Sequence, residues 1–171
     1  MGKIKVILAG AGAIAESTHL LYLKNHPDVT VAAIVDINLK QAEEVASRNG
    51  IEQFYGSLEE AIEQVKADAV VICTPNQSHM ALATMAAANG LDVFVEKPIG
   101  TDLESVETYL QLAKEKQVIT MAGMTHRFRR DAAILKEYAD AETFGDIYYV
   151  KARLYRQRGT PKGWFTSKAL A

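Results

Sequence analysis

Four short groups of residues in this chain have the types and spacing to do chemistry. The first is Gly10-Ala11-Gly12-Ala13-Ile14-Ala15, entered from the apolar run Ile4-Lys5-Val6-Ile7-Leu8-Ala9, with the carboxylate of Asp36 placed 24 residues after Gly12. Gly10 can take the backbone angles of a tight turn, and Gly12 leaves the main chain open to the close approach of a pyrophosphate. Ala13 and Ile14 would open a helix whose unpaired N–H groups and partial positive charge favour an anion, by roughly 0.3 to 1 kcal/mol per exposed contact. Ala15 stands where a third small residue is needed for close packing of helix on strand. Asp36 can accept from both hydroxyls of an adenosine ribose and repel a 2′-phosphate, or it can simply cap the next helix. A glycine-rich loop that only joins strand to helix is the plainer alternative. The surroundings argue against it, because Ala13 to Lys24 carries apolar residues at helical spacing and Val29 to Val35 is a second apolar run, which completes a βαβ unit.

The other three groups are Thr74-Pro75-Asn76-Gln77-Ser78-His79, Glu96-Lys97-Pro98, and Gly123-Met124-Thr125-His126-Arg127-Phe128. Each follows a run that reads as a strand. The elements that must position them are a helix over Asn38 to Arg48 stopped by Asn49-Gly50, a short strand over Glu52 to Tyr55, and a helix opened by a capping box at Ser57 and running to about Val65. Asp68 to Thr74 is a buried strand, Asn76 is the N-cap of an alanine-rich helix ending at Asn89-Gly90, and Leu91 to Glu96 is a strand. Thr101 or Asp102 caps a helix to about Lys116, and Val118 to Gly123 is the sixth strand. Strands apolar on both faces and alternating with helices predict an α/β fold, a doubly wound parallel sheet of Rossmann type. Ligands bind outside the carboxyl ends of the strands in such a sheet, where all four groups fall. After Gly123 the pattern changes: Asp131 to Tyr138 is expected to be helical and Asp146 to Arg156 alternates like a half-exposed strand. Residues 1–122 are therefore expected to form one domain and 123–171 to begin another.

The composition, with 49% apolar and 23% charged residues and a formal charge of -2, suits a soluble protein and gives no broad cationic field for nucleic acid. The cationic residues Arg127, Arg129, Arg130, Lys151, Arg153, Arg156 and Arg158 read as a solvated face. One cysteine, Cys73, excludes an internal disulfide and reads as a buried strand thiol in a reducing compartment. No His or Cys cluster has metal spacing, no run is long enough to span a membrane, and no leader precedes the first strand, so a metal-free cytoplasmic protein is expected.

The four groups in this order and spacing resemble the Gfo/Idh/MocA oxidoreductases, over nearly the whole chain. That resemblance implies an N-terminal NAD(P)-binding domain, a C-terminal α/β domain on a large open sheet, and hydride transfer between a nicotinamide cofactor and a sugar, cyclitol or related polyol. It implies that Lys97 is the catalytic lysine, that Thr74, Pro75 and Asn76 line the cofactor, and that Arg127 borders the active site, with Gly10, Gly12, Ala13, Ile14, Asp36, His79 and Glu96 also on the cofactor side. Physical chemistry supports Lys97 independently. In a crowded pocket beside the cationic ring of an oxidised cofactor it would lose affinity for its proton and could exchange protons with the reacting oxygen. The competing reading is a surface lysine paired with Glu96. His79 could approach the cofactor or be a hydrogen-bonded structural residue, and Arg127 could touch substrate or join an ion pair. Thr125 stands where the family usually has Asn and Arg130 near a common Pro, which weakens substrate contacts drawn from this segment. NAD is expected over NADP, since Ile37 rather than Arg follows Asp36, although Lys40 keeps NADP open. Trp164 is expected to anchor the second domain or cover the pocket mouth.

Family members continue into a segment that supplies a histidine and an acidic neighbour, so a truncated chain is expected here, with homo-oligomers formed by the full-length protein. The competing functions are a non-catalytic dinucleotide sensor and an NAD-binding module of a larger assembly.

Overall fold

The computed structural model describes residues 2–153 together with Tyr155 and Gln157. β1 (Ile4–Ala9) leads into a helix that begins at Ala13, runs as a π-helical stretch over Ala15–Leu20 and continues as α1 (Leu21–Asn25). Then come β2 (Val29–Val35), α2 (Leu39–Asn49), β3 (Phe54–Tyr55), α3 (Leu58–Gln64) and β4 (Ala69–Ile72). A 3-10 turn, Asn76–Ser78, leads into α4 (His79–Ala88), followed by β5 (Asp92–Val95), α5 (Leu103–Lys116), β6 (Thr120–Ala122), a second 3-10 turn (Thr125–Phe128) and α6 (Arg130–Asp140). The six strands form one parallel sheet in the order β3-β2-β1-β4-β5-β6. Strand order reverses between β1 and β4, which opens a crevice above their carboxyl ends.

The period-two geometry of a strand sends neighbouring residues to opposite faces, and here both faces are buried. Ile7, Ala9, Val70, Ile72, Val93 and Val95 pack with Leu58 and Ala61 of α3, Ala83, Ala86 and Ala87 of α4, and Tyr109 and Ala113 of α5. Val6, Leu8, Val31, Ile34 and Val71 pack on the other face with Ala15, Leu20, and Ala42, Val45 and Ala46 of α2. The pairing of β1 with β2 slips between Val6 and Ile7, so that Val6 meets Val31 and Ile7 meets Ala33. This bulge inserts Ala32 and flips the parity of the rest of β2.

Local chemistry sets the helix ends. The side chains of Asn38, Ser57 and Asp102 accept from the backbone N–H groups of Gln41, Glu60 and Ser105. Each such cap contributes about 1 kcal/mol. Gly50, at φ 67°, ends α2 in the left-handed conformation that glycine adopts without strain.

Three sequence expectations are corrected. β3 spans only Phe54–Tyr55, because only Ile34 and Val35 of β2 lie alongside it. Asn76 is not an N-cap: Pro75 has the extended backbone (φ -60°, ψ 147°) that a cap position requires, so Asn76 already lies inside the first turn. No strand forms over the described residues of Asp146 to Arg156. An alternating segment becomes a strand only when a neighbour takes its N–H and C=O groups, and no described residue does so. Leu154, Arg156 and Trp164 lie outside the described residues.

Candidate functional site

On the β2 side of the crevice, backbone atoms build most of the site. Gly10 donates its N–H to the Val35 carbonyl at 2.7 Å, and its φ of +100° is one that side-chain-bearing residues avoid. A Cβ there would lie 2.7 Å from the Cys73 carbonyl oxygen, so the meeting of the β1 and β4 ends admits only glycine. At Gly12 the opposite holds: a Cβ would meet nothing within 4 Å, leaving open space above the chain. The Glu16 N–H donates to the Gly12 carbonyl at 3.2 Å and starts the helix. The N–H groups of Gly12, Ala13 and Ile14 therefore belong to the first turn, which lacks intrahelical acceptors, and all three residues are exposed. Ala15 is fully buried against the sheet.

Asp36 braces this turn. Its Oδ2 accepts from the Ala11 N–H and its Oδ1 from the Asn38 N–H, both at 2.9 Å, while the Gln41 amide donates to the Ala11 carbonyl at 3.1 Å. A carboxylate has about four acceptor sites, so both oxygens retain capacity for ribose hydroxyls. The open cradle over Gly12, the unpaired helix N–H groups and this carboxylate suit a dinucleotide. Ile37 and Lys40 beside them are exposed.

Side chains far apart in sequence build the other side. The buried ring of His79 lies with Nδ1 2.8 Å from the Pro98 carbonyl and Nε2 2.9 Å from the Thr74 carbonyl, tying the segment after β4 to the segment after β5. At 1% exposure the ring presents almost no surface, and its contacts with the crevice walls run through those two carbonyls. The Ser78 hydroxyl bonds the Thr74 hydroxyl (2.7 Å) and the Pro75 carbonyl (2.8 Å), which fixes the wall formed by Thr74, Pro75 and Asn76.

Glu96, at the end of β5, is held on three sides. Its Oε1 lies 2.9 Å from His19 Nε2, its Oε2 accepts from the Lys97 N–H at 3.1 Å, and a Cβ on Gly123 would stand 3.4 Å from its carboxyl carbon. The His19 ring in turn meets Phe94 edge-on, with centroids 5.4 Å apart. Cys73, beneath, is buried, and burial together with the nearby Glu96 charge pushes its thiol far above the usual range, so it stays protonated. The crowding expected around Lys97 is not supplied by the described residues, among which Lys97 is exposed. Its ammonium forms no ion pair among them either, because Glu96 is turned to His19. Arg127 lies in the 3-10 turn after β6, exposed and likewise outside any ion pair among the described residues.

Sequence reasoning missed His19. It sits in the π-helical stretch, whose five-residue hydrogen-bond spacing defeats a helical wheel drawn at α-helical period. A groove of about 430 Å³ between α4 and α5, lined by Met80, Ala81, Thr84, Asp102 and Ser105, contains none of these residues. Among the described residues, no group of three or more His, Cys, Asp or Glu could hold a metal ion, and no helix is long and apolar enough to cross a membrane.

The family model described as an oxidoreductase family with an NAD-binding Rossmann fold, GFO_IDH_MocA, matches residues 4–124. The D-glucoside 3-dehydrogenase of Escherichia coli (strain K12) is 31% identical over 98% of this chain and 48% of its own length. The scyllo-inositol 2-dehydrogenase (NAD(+)) of Bacillus subtilis (strain 168) is 34% identical over 81% of this chain and 40% of its own. Among solved structures, the WlbA dehydrogenase of Bordetella pertussis, in complex with NADH and UDP-GlcNAcA, superposes with a TM-score of 0.81 at 26% identity, covering 86% of this chain and 42% of that one. The chain thus spans about half the length of the curated relatives it matches.

Proposed function

The chain belongs to the Gfo/Idh/MocA oxidoreductase family and carries its NAD-binding Rossmann fold, and from that premise we propose that it is the cofactor-binding part of an NAD-dependent dehydrogenase of a sugar, cyclitol or related polyol. The observation that carries this reading is a single crevice with two different ends: an amide-lined cradle with a carboxylate beside it at Gly10–Asp36, and a free ammonium, Lys97, at the other end. A bound nicotinamide supplies the hydride acceptor or donor. The chain's own residues do the rest. The N–H groups of Gly12, Ala13 and Ile14 receive the diphosphate, and Asp36 accepts from the adenosine ribose hydroxyls while its charge disfavours a 2′-phosphate. Thr74, Pro75 and Asn76 form the wall between the two ends.

Lys97 hydrogen-bonds the reacting oxygen and takes or returns its proton, a contribution of roughly 100- to 10,000-fold for a positioned acid–base group. Its exposure among the described residues means that closure of the substrate side falls to residues beyond this half of the fold. Residues 1–122 form the cofactor domain in this reading, and 123–171 begin the substrate domain, with Arg127 at their junction. The substrate class follows the named relatives, which act on a D-glucoside and on an inositol.

The test is a panel of polyols, glycosides and nucleotide sugars offered with NAD to the protein in its longest native form, with appearance of reduced cofactor as the signal. Reduction with one class of polyol supports the proposal. Binding of NAD without reduction across the panel would instead favour a dinucleotide sensor.

A further inference from the structure

We propose that His19 and Glu96 form a charge-reading pair at the hydride-transfer end of the crevice, preferring oxidised over reduced cofactor while His19 is neutral and losing that preference when His19 takes up a proton. This rests on the NAD reading above, and nothing in that reading gives His19 a role.

Placement is the first step. A dinucleotide with its ribose at Asp36 and its diphosphate over Gly12 spans the point where strand order reverses, so its other half lies toward the ends of β4 and β5. Glu96 stands at the end of β5. Its carboxylate is only 12% exposed and His19 only 13%, so charges there are screened far less than surface charges. Oxidised and reduced nicotinamide differ by one positive charge. An anionic Glu96 attracts the oxidised ring and is indifferent to the reduced one, whereas a protonated His19 at 2.9 Å cancels that anion.

Among the described residues, no other group around the pair duplicates this change of charge. Cys73, from the end of β4, stays a neutral thiol because burial opposes its ionisation. Lys97, the adjacent residue, is exposed and meets Glu96 through its backbone N–H, its ammonium forming no ion pair with that carboxylate. Glu16, on the same helix as His19, is committed to Arg48 at 3.0 Å. Phe94 and Gly123, which close the remaining sides, carry no charge. Histidine is the side chain whose ordinary charge change falls between about pH 5 and 8. By linkage, proton uptake at His19 and binding of the oxidised cofactor must oppose each other equally.

The experiment measures dissociation constants for NADH, by its fluorescence, and for NAD, by competition against NADH, from about pH 5.5 to pH 8.5. It uses the 171-residue chain and its His19→Asn and Glu96→Gln variants. The readout is the ratio of the two constants, from which a uniform loss of affinity cancels. In the parent chain the preference for NAD should rise roughly tenfold with pH, an ordinary size for coupled sites. In His19→Asn, which keeps a donor to Glu96 but no titration, it should be high and flat. In Glu96→Gln it should be lower than in the parent at every pH, because the anion that attracts the oxidised ring is gone. A parent-like slope in His19→Asn, or an unaltered preference in Glu96→Gln, overturns the pair's role. If Glu96→Gln does not fold, the parent slope and its loss in His19→Asn decide the matter. Failure of the parent chain to bind either cofactor would overturn the NAD reading itself, whereas tight binding of both without any pH-dependent preference overturns only this inference.

Discussion

The two ends of the crevice are built in different ways. At the Gly10–Asp36 end almost every constraint is a backbone one: a positive φ, a carbonyl 2.7 Å from where a Cβ would stand, and the Ala11 N–H held by a carboxylate 25 residues away in sequence but beside it at the end of the neighbouring strand. At the Glu96–Lys97 end the constraints are side chains reaching across the fold, His79 from α4 and His19 from the π-helical stretch, and the Lys97 ammonium is exposed among the described residues. A binding surface for a diphosphate can be finished within one βαβ unit because amides supply it. A proton-transfer site needs a desolvated, enclosed group, and that enclosure has to come from another layer of structure.

Three substitutions separate the two ends and a fourth lies outside both, and the largest effect is expected at the rigid end. Gly10→Val combines a disfavoured φ with a clash against the Cys73 carbonyl and should cost about 4 kcal/mol of stability, read from the midpoint of chemical denaturation. A loss under about 1 kcal/mol would mean that β1 and β4 separate more easily than their contact implies. His79→Ala empties the buried space of the ring and removes its link between the Thr74 and Pro98 carbonyls, and should cost about 3 kcal/mol in the same assay. Its sharper signature is local: amide exchange should accelerate at Thr74 and Lys97 while the bonded N–H groups of Gly10 and Ala11 stay protected. Equal acceleration at both ends would erase the distinction between them.

Lys97→Met should leave folding within about 0.5 kcal/mol of the parent, as an exposed position predicts. In any form of the protein that turns over a polyol, the same change should lower kcat by roughly a hundredfold with little change in the affinity for NAD. Retained turnover would remove Lys97 from the chemistry. The smallest effect concerns a helix start outside both ends. Hydrogen bonds from Ser105 hold the Asp102 carboxyl below its ordinary range. A depressed folded-state pKa adds stability that is present above the unfolded carboxylate value of about 3.9 and is lost as pH falls through the folded value. Asp102→Asn should therefore be slightly less stable at neutral pH and show a shallower acid limb below about pH 4, by circular dichroism. An acid limb as steep as the parent's would show that the cap does not depend on the charge.

Much of this was legible in the sequence wherever the physics is local. The glycine turn, the cap at Ser57, the cap narrowed to Thr101 or Asp102, and the strand-helix alternation each depend on neighbours a few residues apart. The bulge at Ala32 was invisible because β2 is largely buried on both faces from Val31 onward, so a shift of parity leaves the run Val31 to Val35 apolar throughout. Asn76 was misplaced because proline took the extended position that a cap requires, one residue earlier. His19 escaped because its partner lies 77 residues away and its helix departs from α-helical period. The alternation after Gly123 misled for a related reason, since pairing depends on a partner strand and not on the segment's own pattern.

The most direct test of the central claim is calorimetric titration of the chain and of its Asp36→Asn variant with NAD and with NADP. The account predicts that the parent binds NAD more tightly than NADP, and that Asp36→Asn weakens NAD by roughly tenfold while narrowing or reversing the preference, because the hydrogen bonds to a charged acceptor are lost together with its repulsion of a 2′-phosphate. No heat with either nucleotide, or tighter NADP binding by the parent, would contradict it.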